Sequence, residues 1–285
     1  MSMVEQERLR PFPELPEVVK ARYPAGDLAL RPFGIHESDL NVDFDRTPRP
    51  VLVTHLLECC TRDLQKEKVE RSLLWNLPVG KRIECLLTLL LSGSGSAIAV
   101  AFRCPNPACE ERSEIDIAIE EVAALQKEAY ATDRVEVPVA HEVLALRRPT
   151  GSDQLAWLRG NFTDKAAALR AMVRTLLLND QDDGDVRGDT LRDEWLDSIE
   201  EAMEEHDPLI NFRISVNCPS CESDHLVTID LEELSLRRLG QAQLRLLGSV
   251  HRLAAHYHWS EQQIFAVPYW RRAHYLRLIE NETNQ

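Results

Sequence analysis

Two pairs of cysteines constrain this chain more than any other feature of its sequence. Cys104 and Cys109 stand in the segment CPNPAC, and Cys218 and Cys221 stand in CPSC. Each pair lies between two runs of alternating apolar residues, a pattern that predicts a β-hairpin with its cysteines in the turn. Two such turns facing each other would bring four thiolates within tetrahedral reach of one Zn²⁺. We therefore expect a structural zinc site with these four cysteines as ligands.

The two cysteine segments also share their order of elements. After the second strand, each enters an acidic helix start, at Glu120-Glu121 and at Glu232-Glu233. The pairs are 109 positions apart, counted from residue 109 to residue 218. A subdomain of about 120–208 would therefore be inserted between the hairpins, which is tolerable because loop-closure entropy grows slowly with loop length. The expected site is a zinc ribbon built from two distant cysteine knuckles.

Two alternative roles for the cysteines remain open at this point. The Cys-Pro-x-Cys spacing of CPSC also suits a thiol redox protein, but redox dithiols sit at a helix N-terminus, and the residues after Cys221 predict a strand. The other alternative is a zinc-ribbon module that binds nucleic acid or has a regulatory role. The chain carries 33 basic and 47 acidic side chains, a formal charge of −14, which disfavours contact with phosphate backbones. His225 is interpreted as a solvated residue rather than a further ligand.

No catalytic motif accompanies the cysteines. The H-x-E element of zinc deaminases, glycine-rich phosphate loops and a G-x-S-x-G turn are all missing from the sequence. The acidic run NDQDDGDVRGD lacks the glutamate that would end a calcium loop, and it is interpreted as a surface loop. No apolar run approaches the ~20 residues that cross a membrane, and MSMVEQERLR has no hydrophobic signal core. We therefore expect a non-enzymatic cytoplasmic protein that does not enter membranes.

Proline content and hydrophobic periodicity divide the chain into three parts. Residues 1–50 hold seven of the fifteen prolines and predict an extended arm. Residues 51–231 predict an α+β zinc-ribbon domain with an inserted helical subdomain at about 120–208. Residues 232–285 predict a C-terminal helical segment. The predicted fold class is thus α+β, with a small antiparallel zinc-ribbon-like element surrounded by helices and followed by a C-terminal helical hairpin.

Aromatic residues and arginines are interleaved near the C-terminus. Such residues are enriched as anchors in protein interfaces, but aromatics also cover the core of a helical hairpin, so both interpretations stay open. The docking interpretation assigns partner contacts to Trp259, Tyr269, Trp270, Arg271, Arg272 and Tyr275.

Glycines and a cap mark the long helix that this segment predicts and the element after it. Gly240 and Gly248 predict close approach of another backbone to the helix. Ser260 with Gln263 predicts a capping box at the start of the next helix.

Three segments resemble a family encoded in contractile-tail gene clusters. They are LPVGKRIECLLTLLLSGSGSAIAVAFRCPNPAC, RRPTGSDQLAWL and LLGSVHRLAAHYHWSEQQIFAVPYWRRAHYLRLI, within about residues 50–281. The family comprises baseplate-hub assembly chaperones and zinc-ribbon baseplate proteins of contractile phages and extracellular contractile injection systems. Two departures from its pattern are the Cys-x₄-Cys spacing of the first knuckle and His258, where the family usually has glycine.

The resemblance implies a function and a set of partners. It implies a non-enzymatic assembly factor or structural component of a baseplate or hub, incorporated in a phage-tail-like particle or acting on it from the cytoplasm. Its partners would be baseplate, hub or spike proteins, contacted through the C-terminal aromatic and arginine residues and the N-terminal arm. It also implies Cys104, Cys109, Cys218 and Cys221 as metal positions. The oligomeric state stays open.

Overall fold

A computed structural model describes residues 9–15, 28–65, 69–91, 96–129, 134–140, 142–178 and 191–283. Strands and helices within these ranges are numbered separately in chain order. The strands are β1 (Arg10–Pro11), β2 (Leu28–Leu30), β3 (Thr61–Asp63), β4 (Ala97–Arg103), β5 (Arg112–Ala118), β6 (Arg134–Val139), β7 (Glu142–Arg147), β8 (Phe212–Asn217) and β9 (Asp224–Ile229). The helices are α1 (Arg49–Cys60), α2 (Arg71–Asn76), α3 (Val79–Leu91), α4 (Ile119–Ala129), α5 (Gly151–Arg159), α6 (Lys165–Leu176), α7 (Leu196–His206), α8 (Leu231–Tyr257), α9 (Glu261–Ala266) and α10 (Tyr269–Thr283).

The described part of the proline-rich segment lies on its own domain. Strands β1, β2 and β3 form an antiparallel sheet in that order, so residues before α1 pair with the strand that follows it. Leu30 and Phe33 are buried in the same core as α1 and α3. The carboxylate of Asp39 accepts hydrogen bonds from the Arg31 guanidinium and from the amide of Gly34, which fixes the chain as it leaves β2. This part of the segment is therefore core structure.

Helices α1, α2, α3 and α8 surround the main core. Helix α3 is buried on almost every side: even Lys81, Arg82 and Glu84 are less than 4% exposed. The Lys81 ammonium and the Glu84 carboxylate form an ion pair inside the protein, which satisfies both charges. The spacing of Ile83, Leu86, Leu87, Leu90 and Leu91 predicts an amphipathic helix, whereas α3 is a central helix whose charged residues are also buried.

A second core lies in the segment between the two cysteine pairs. The hairpin β6–β7 packs against α6 and α7, and Val137, Leu146 and Ile199 are among its buried residues. The segment GNFTD predicts a break between two helices with an N-cap for the second. Helices α5 and α6 are separated there, and Asp164 caps α6 by accepting a hydrogen bond from the amide of Ala167. We call residues 120–208 the insert. The run NDQDDGDVRGD lies outside the described residues.

The motifs LPVGKR and RPTGSD meet where the insert joins the main core. Pro78 pairs with Thr150, and the amide of Val79 donates to the Pro149 carbonyl at 2.8 Å. A Cβ at Gly151 would lie 2.5 Å from Arg82 Cζ, so only glycine leaves room for this buried guanidinium. Both motifs therefore have a structural explanation: they hold two parts of the fold in contact.

The C-terminal helices form a small hairpin with its own core. Helix α8 has 27 residues, and Leu253 and Ile264 are fully buried between it, α9 and α10. The predicted capping box of Ser260 and Gln263 is confirmed at the start of α9. Together with the small antiparallel sheets, this confirms the α+β class and the C-terminal helical hairpin.

Four details of the helix prediction are different in the structure. Helical spacing of apolar residues predicts Leu64 in the same helix as Leu52 and Leu247 on the apolar stripe of α8, but Leu64 follows β3 and Leu247 is half exposed. A Cβ at Gly248 would meet nothing within 4 Å, and one at Gly240 would meet the Phe44 ring at 3.4 Å. Among the described residues, the nearest neighbour of Gly240 is therefore a side chain rather than a backbone, and Gly248 faces open space. None of the described helices is long and apolar enough to cross a bilayer.

Candidate metal centre

Each cysteine pair sits at the tip of a hairpin whose base is anchored in the main core. Ile98 and Ile117 at the base of β4–β5 are buried, as are Phe212 and Ile229 at the base of β8–β9. Towards the tips, most strand residues are half-buried or exposed. Since each hairpin is a separate two-stranded sheet, no strand pairing joins one to the other within the described residues.

The two cysteine turns have the same backbone geometry. The amide of Cys104 donates to the Glu111 carbonyl at 2.7 Å, and the amide of Cys218 donates to the Ser223 carbonyl at 3.0 Å. In both turns the residue after the second cysteine is left-handed, with φ of 50° at Glu110 and 54° at Glu222. A non-glycine residue in this region is uncommon, so its recurrence at equivalent positions shows that the turns are built alike despite their different lengths.

The two turns bring four sulfur atoms together. The Sγ atoms of Cys104, Cys109, Cys218 and Cys221 all lie within 4.8 Å of one another. Contacts of 3.8 Å join Cys104 to Cys221 and Cys109 to Cys218, so each pairs a cysteine of one hairpin with a cysteine of the other. A disulfide would need about 2.05 Å, whereas tetrahedral ligands at about 2.3 Å from a metal are about 3.8 Å apart. These four cysteines can therefore hold a metal ion.

The environment of the cluster favours a cation. Loss of hydration raises the pKa of Cys104 to about 12, and hydrogen bonds with the other three cysteines add to this effect. The backbone amide of Ser223, its hydroxyl and the His225 ring lower the pKa of Cys221 to about 5. The protein alone thus favours a thiolate within the cluster and opposes the loss of all four protons. A divalent cation would stabilise all four together, because metal binding replaces their protons.

His225 takes part in the cluster, contrary to its interpretation as a solvated residue. Its Nε2 lies 3.3 Å from Cys104 Sγ, and the ring is half-buried. His225 is on β9 and Cys104 follows β4, so this contact also joins the two hairpins. In the sequence, His225 is marked only by its position at the start of a strand, four residues after Cys221. Its partner, Cys104, comes from the other hairpin, so only the tertiary structure shows the contact.

The other cysteines lie elsewhere. Cys60 and Cys85 are fully buried, and removal from water raises the pKa of each thiol. Cys59 is half-buried in α1. The segment after Cys221 leads into β9, so the helix N-terminus that a redox dithiol uses is not found at this turn.

The six residues predicted to dock a partner have different surroundings. Trp259 and Tyr275 pack edge to face against the small core of the hairpin, with ring centroids 5.1 Å apart. Arg272 is 7% exposed and donates to the Ile35 carbonyl at 2.7 Å. Tyr269, Trp270 and Arg271 are exposed. Both interpretations of this segment therefore apply, each to different side chains, and partner contact stays a prediction.

The fold and the cluster define a class of protein: a helix-rich α+β chain whose two distant hairpins share a four-cysteine centre. A family model described as "T4 bacteriophage base plate protein" matches residues 18–235. The chain belongs to this family, which gives it a structural or assembly role in a phage baseplate, in contact with other baseplate components. Comparison with curated proteins gave no match, and neither did comparison with solved structures.

Proposed function

We propose that this baseplate protein is a zinc-containing assembly factor or structural component of the hub of a phage-tail-like contractile particle. It acts without catalysis, by docking onto hub, spike or other baseplate proteins. The observation that carries the proposal is the cluster of four Sγ atoms within 4.8 Å, supplied by turns 109 positions apart in a chain of the baseplate family. The division into an arm (1–50) that lies along its own domain, a zinc-ribbon domain (51–231) and a helical segment (232–285) is part of this proposal.

Zinc would supply folding free energy at this centre. An isolated two-stranded hairpin is at best marginally stable in water, and each of these hairpins has its buried core residues at its base and only partly buried ones, such as Val100 and Ile214, farther along. Cys104, Cys109, Cys218 and Cys221 would hold Zn²⁺, whose chemistry here is a closed thiolate coordination shell without an open position. The ion would fix the relative position of the two hairpin tips, and thereby shape a rigid surface on the protein.

Zinc content tests the metal part of this proposal. Native mass spectrometry should find one zinc in the wild-type chain and none in Cys104→Ser or Cys218→Ser. Cys59→Ser is the matched control, because Cys59 is half-buried but outside the cluster. If one mutated hairpin left a full complement of zinc, the ion would not be shared between the two pairs and the proposed centre would be wrong.

The assembly role needs a separate measurement. Contractile particles would be purified from cells that carry the wild-type chain, Cys104→Ser or Cys59→Ser. We expect complete particles with wild type and Cys59→Ser, and a marked loss with Cys104→Ser. Detection of the chain in finished particles would favour a structural component, and its presence only in intermediates would favour an assembly factor. Normal particles from cells that lack the chain would refute both.

A further inference from the structure

A large cleft separates the C-terminal hairpin from the main core. Its volume is about 1250 Å³, and it lies among β1, the end of α3, α8 and α10. Its apolar lining includes Phe33, Ile35, Leu90, Leu246, Val250 and Leu276. Small-molecule sites usually measure roughly 300–1,000 Å³, so this cleft has room for a segment of polypeptide.

The charged residues of the cleft are all basic. Arg10, Arg245, Arg252 and Arg272 line it together with His251, and no aspartate or glutamate is among the described residues that do so. This is unexpected in a chain with 47 acidic side chains and a formal charge of −14. The surrounding segment 231–285 contains seven arginines, no lysine and five glutamates. The acidic excess of the protein is therefore carried by residues 1–230.

One wall of the cleft is held rigid before any partner binds. Arg272 donates to the Ile35 carbonyl at 2.7 Å, and its guanidinium lies 4.8 Å from the Phe265 ring and 5.6 Å from the Tyr269 ring. These contacts fix a positive charge beside an apolar surface. A rigid site of this kind loses little conformational entropy on binding, which favours affinity. Gly248 of α8 also lines the cleft and leaves open space there.

We propose that this cleft binds a segment of another baseplate protein that carries apolar side chains next to aspartates or glutamates. The apolar side chains would enter the cleft, and the carboxylates would lie against Arg10 and Arg245 at its rim, where both arginines are exposed. The inference rests on the proposed docking function and names the chemistry of the partner. It does not depend on zinc, because the four cysteines are not among the cleft residues.

A selection with random peptides tests the chemistry of the partner. Full-length, zinc-analysed protein would be offered a display library of random 12-residue peptides. The proposal expects enrichment of peptides that combine leucine, isoleucine or phenylalanine with aspartate or glutamate. Enrichment of basic or uncharged peptides would overturn it, as would the recovery of no peptide above background.

Three variants locate the binding. Gly248→Leu fills open space in the cleft, Arg245→Glu reverses a charge at its rim, and Arg277→Glu reverses an exposed charge of α10 that is not a cleft residue. The Kd of the selected acidic peptide should rise about tenfold or more in the first two variants and less than about twofold in the third. Equal weakening by Arg277→Glu would mean general attraction to the basic segment and would overturn the proposal.

Two further outcomes distinguish a partner-binding cleft from a dimer interface and from an unused cavity. A wild-type dimer that dissociates in Gly248→Leu would assign the cleft to a second copy of the chain, which contradicts the proposal. Folded, zinc-loaded Gly248→Leu that supports normal particle assembly would also contradict it, while leaving the proposed baseplate function intact. Loss of assembly with normal zinc content is the result that the proposal expects.

Discussion

Replacing Gly151 with alanine should destabilise the protein only while Arg82 is present. A Cβ at Gly151 would overlap the guanidinium of Arg82, 2.5 Å from its Cζ atom. The guanidinium cannot move at low cost, because the Arg82 side chain is fully buried and donates to the carbonyls of Leu74 at 2.8 Å and Pro50 at 2.7 Å. The alanine must therefore break hydrogen bonds that join α1, α2 and α3.

The size of the effect follows from these contacts. Burial lowers the pKa of Arg82 to about 10, so the group remains charged at neutral pH. Hydrogen bonds to a charged group contribute about 1.5–3 kcal/mol each, and displacing the guanidinium should weaken at least one of them. We expect Gly151→Ala to lower the free energy of unfolding by about 2–3 kcal/mol in the wild-type background. In an Arg82→Leu background the space is free, and the same change should cost less than about 0.5 kcal/mol.

Urea or guanidinium denaturation of four proteins measures this coupling: wild type, both single variants and the double variant. The expected interaction energy is about 2 kcal/mol, well above the ~0.3–0.5 kcal/mol seen for independent sites. Arg71→Met is a matched surface control, since the Arg71 side chain is 56% exposed and paired with Glu58. Additive losses in the double variant would show that Arg82 does not occupy the space that Gly151 leaves, and the reasoning would fail.

Three further predictions concern the metal centre, two glycines and one partly buried ion pair. A chelator should lower the melting temperature of wild type and Cys59→Ser but not that of Cys104→Ser, which lacks a complete metal site. An equal change of melting temperature in all three proteins would argue against the metal centre. In denaturation experiments, Gly80→Ala should lower the free energy of unfolding by about 2–3 kcal/mol, because its Cβ would overlap the buried Asp207 carboxylate. Gly248→Ala should instead raise the free energy of unfolding by up to about 1 kcal/mol, because alanine favours a helix and open space is available there. Partial burial acts to raise the pKa of Asp153, but hydrogen bonds with Arg147 and Thr150 outweigh it and lower this pKa below the usual 3.8. Wild type should therefore be more stable than Asp153→Asn above pH 3.8, and the difference should vanish as the pH falls through the folded-state pKa; a difference that persists in acid would contradict this assignment.

Local features of the sequence predicted local structure well. The two cysteine turns, the break between α5 and α6 and the capping box at α9 all depend on residues a few positions apart. Their hydrogen bonds form within one turn or one cap, so the spacing of residue types is sufficient to indicate them. The α+β class also followed, because the strand and helix periods differ along the chain.

The roles of several polar residues and glycines could not be read in this way. Arg82 and Gly80 lie in a motif whose pattern indicates only a turn and a helix, yet each faces a group from a distant part of the chain. His225 and Arg272 likewise gain their partners, Cys104 and Ile35, from segments more than 100 positions away. Such contacts depend on how whole helices and strands pack against one another. The hydrophobic periodicity of the sequence does not predict that packing.

The sequence by itself determined the two knuckles, the helices that follow them and the acidic character of the protein. Only the tertiary structure decided that Cys104 meets Cys221 and Cys109 meets Cys218, since it sets the two hairpin bases side by side in one core. It also decided that part of the C-terminal aromatic and arginine cluster is internal and that a basic cleft opens beside it. The physical reason is distance along the chain: short-range bonding follows from neighbouring residues, whereas a site built from segments 109 positions apart exists only when the core between them is packed.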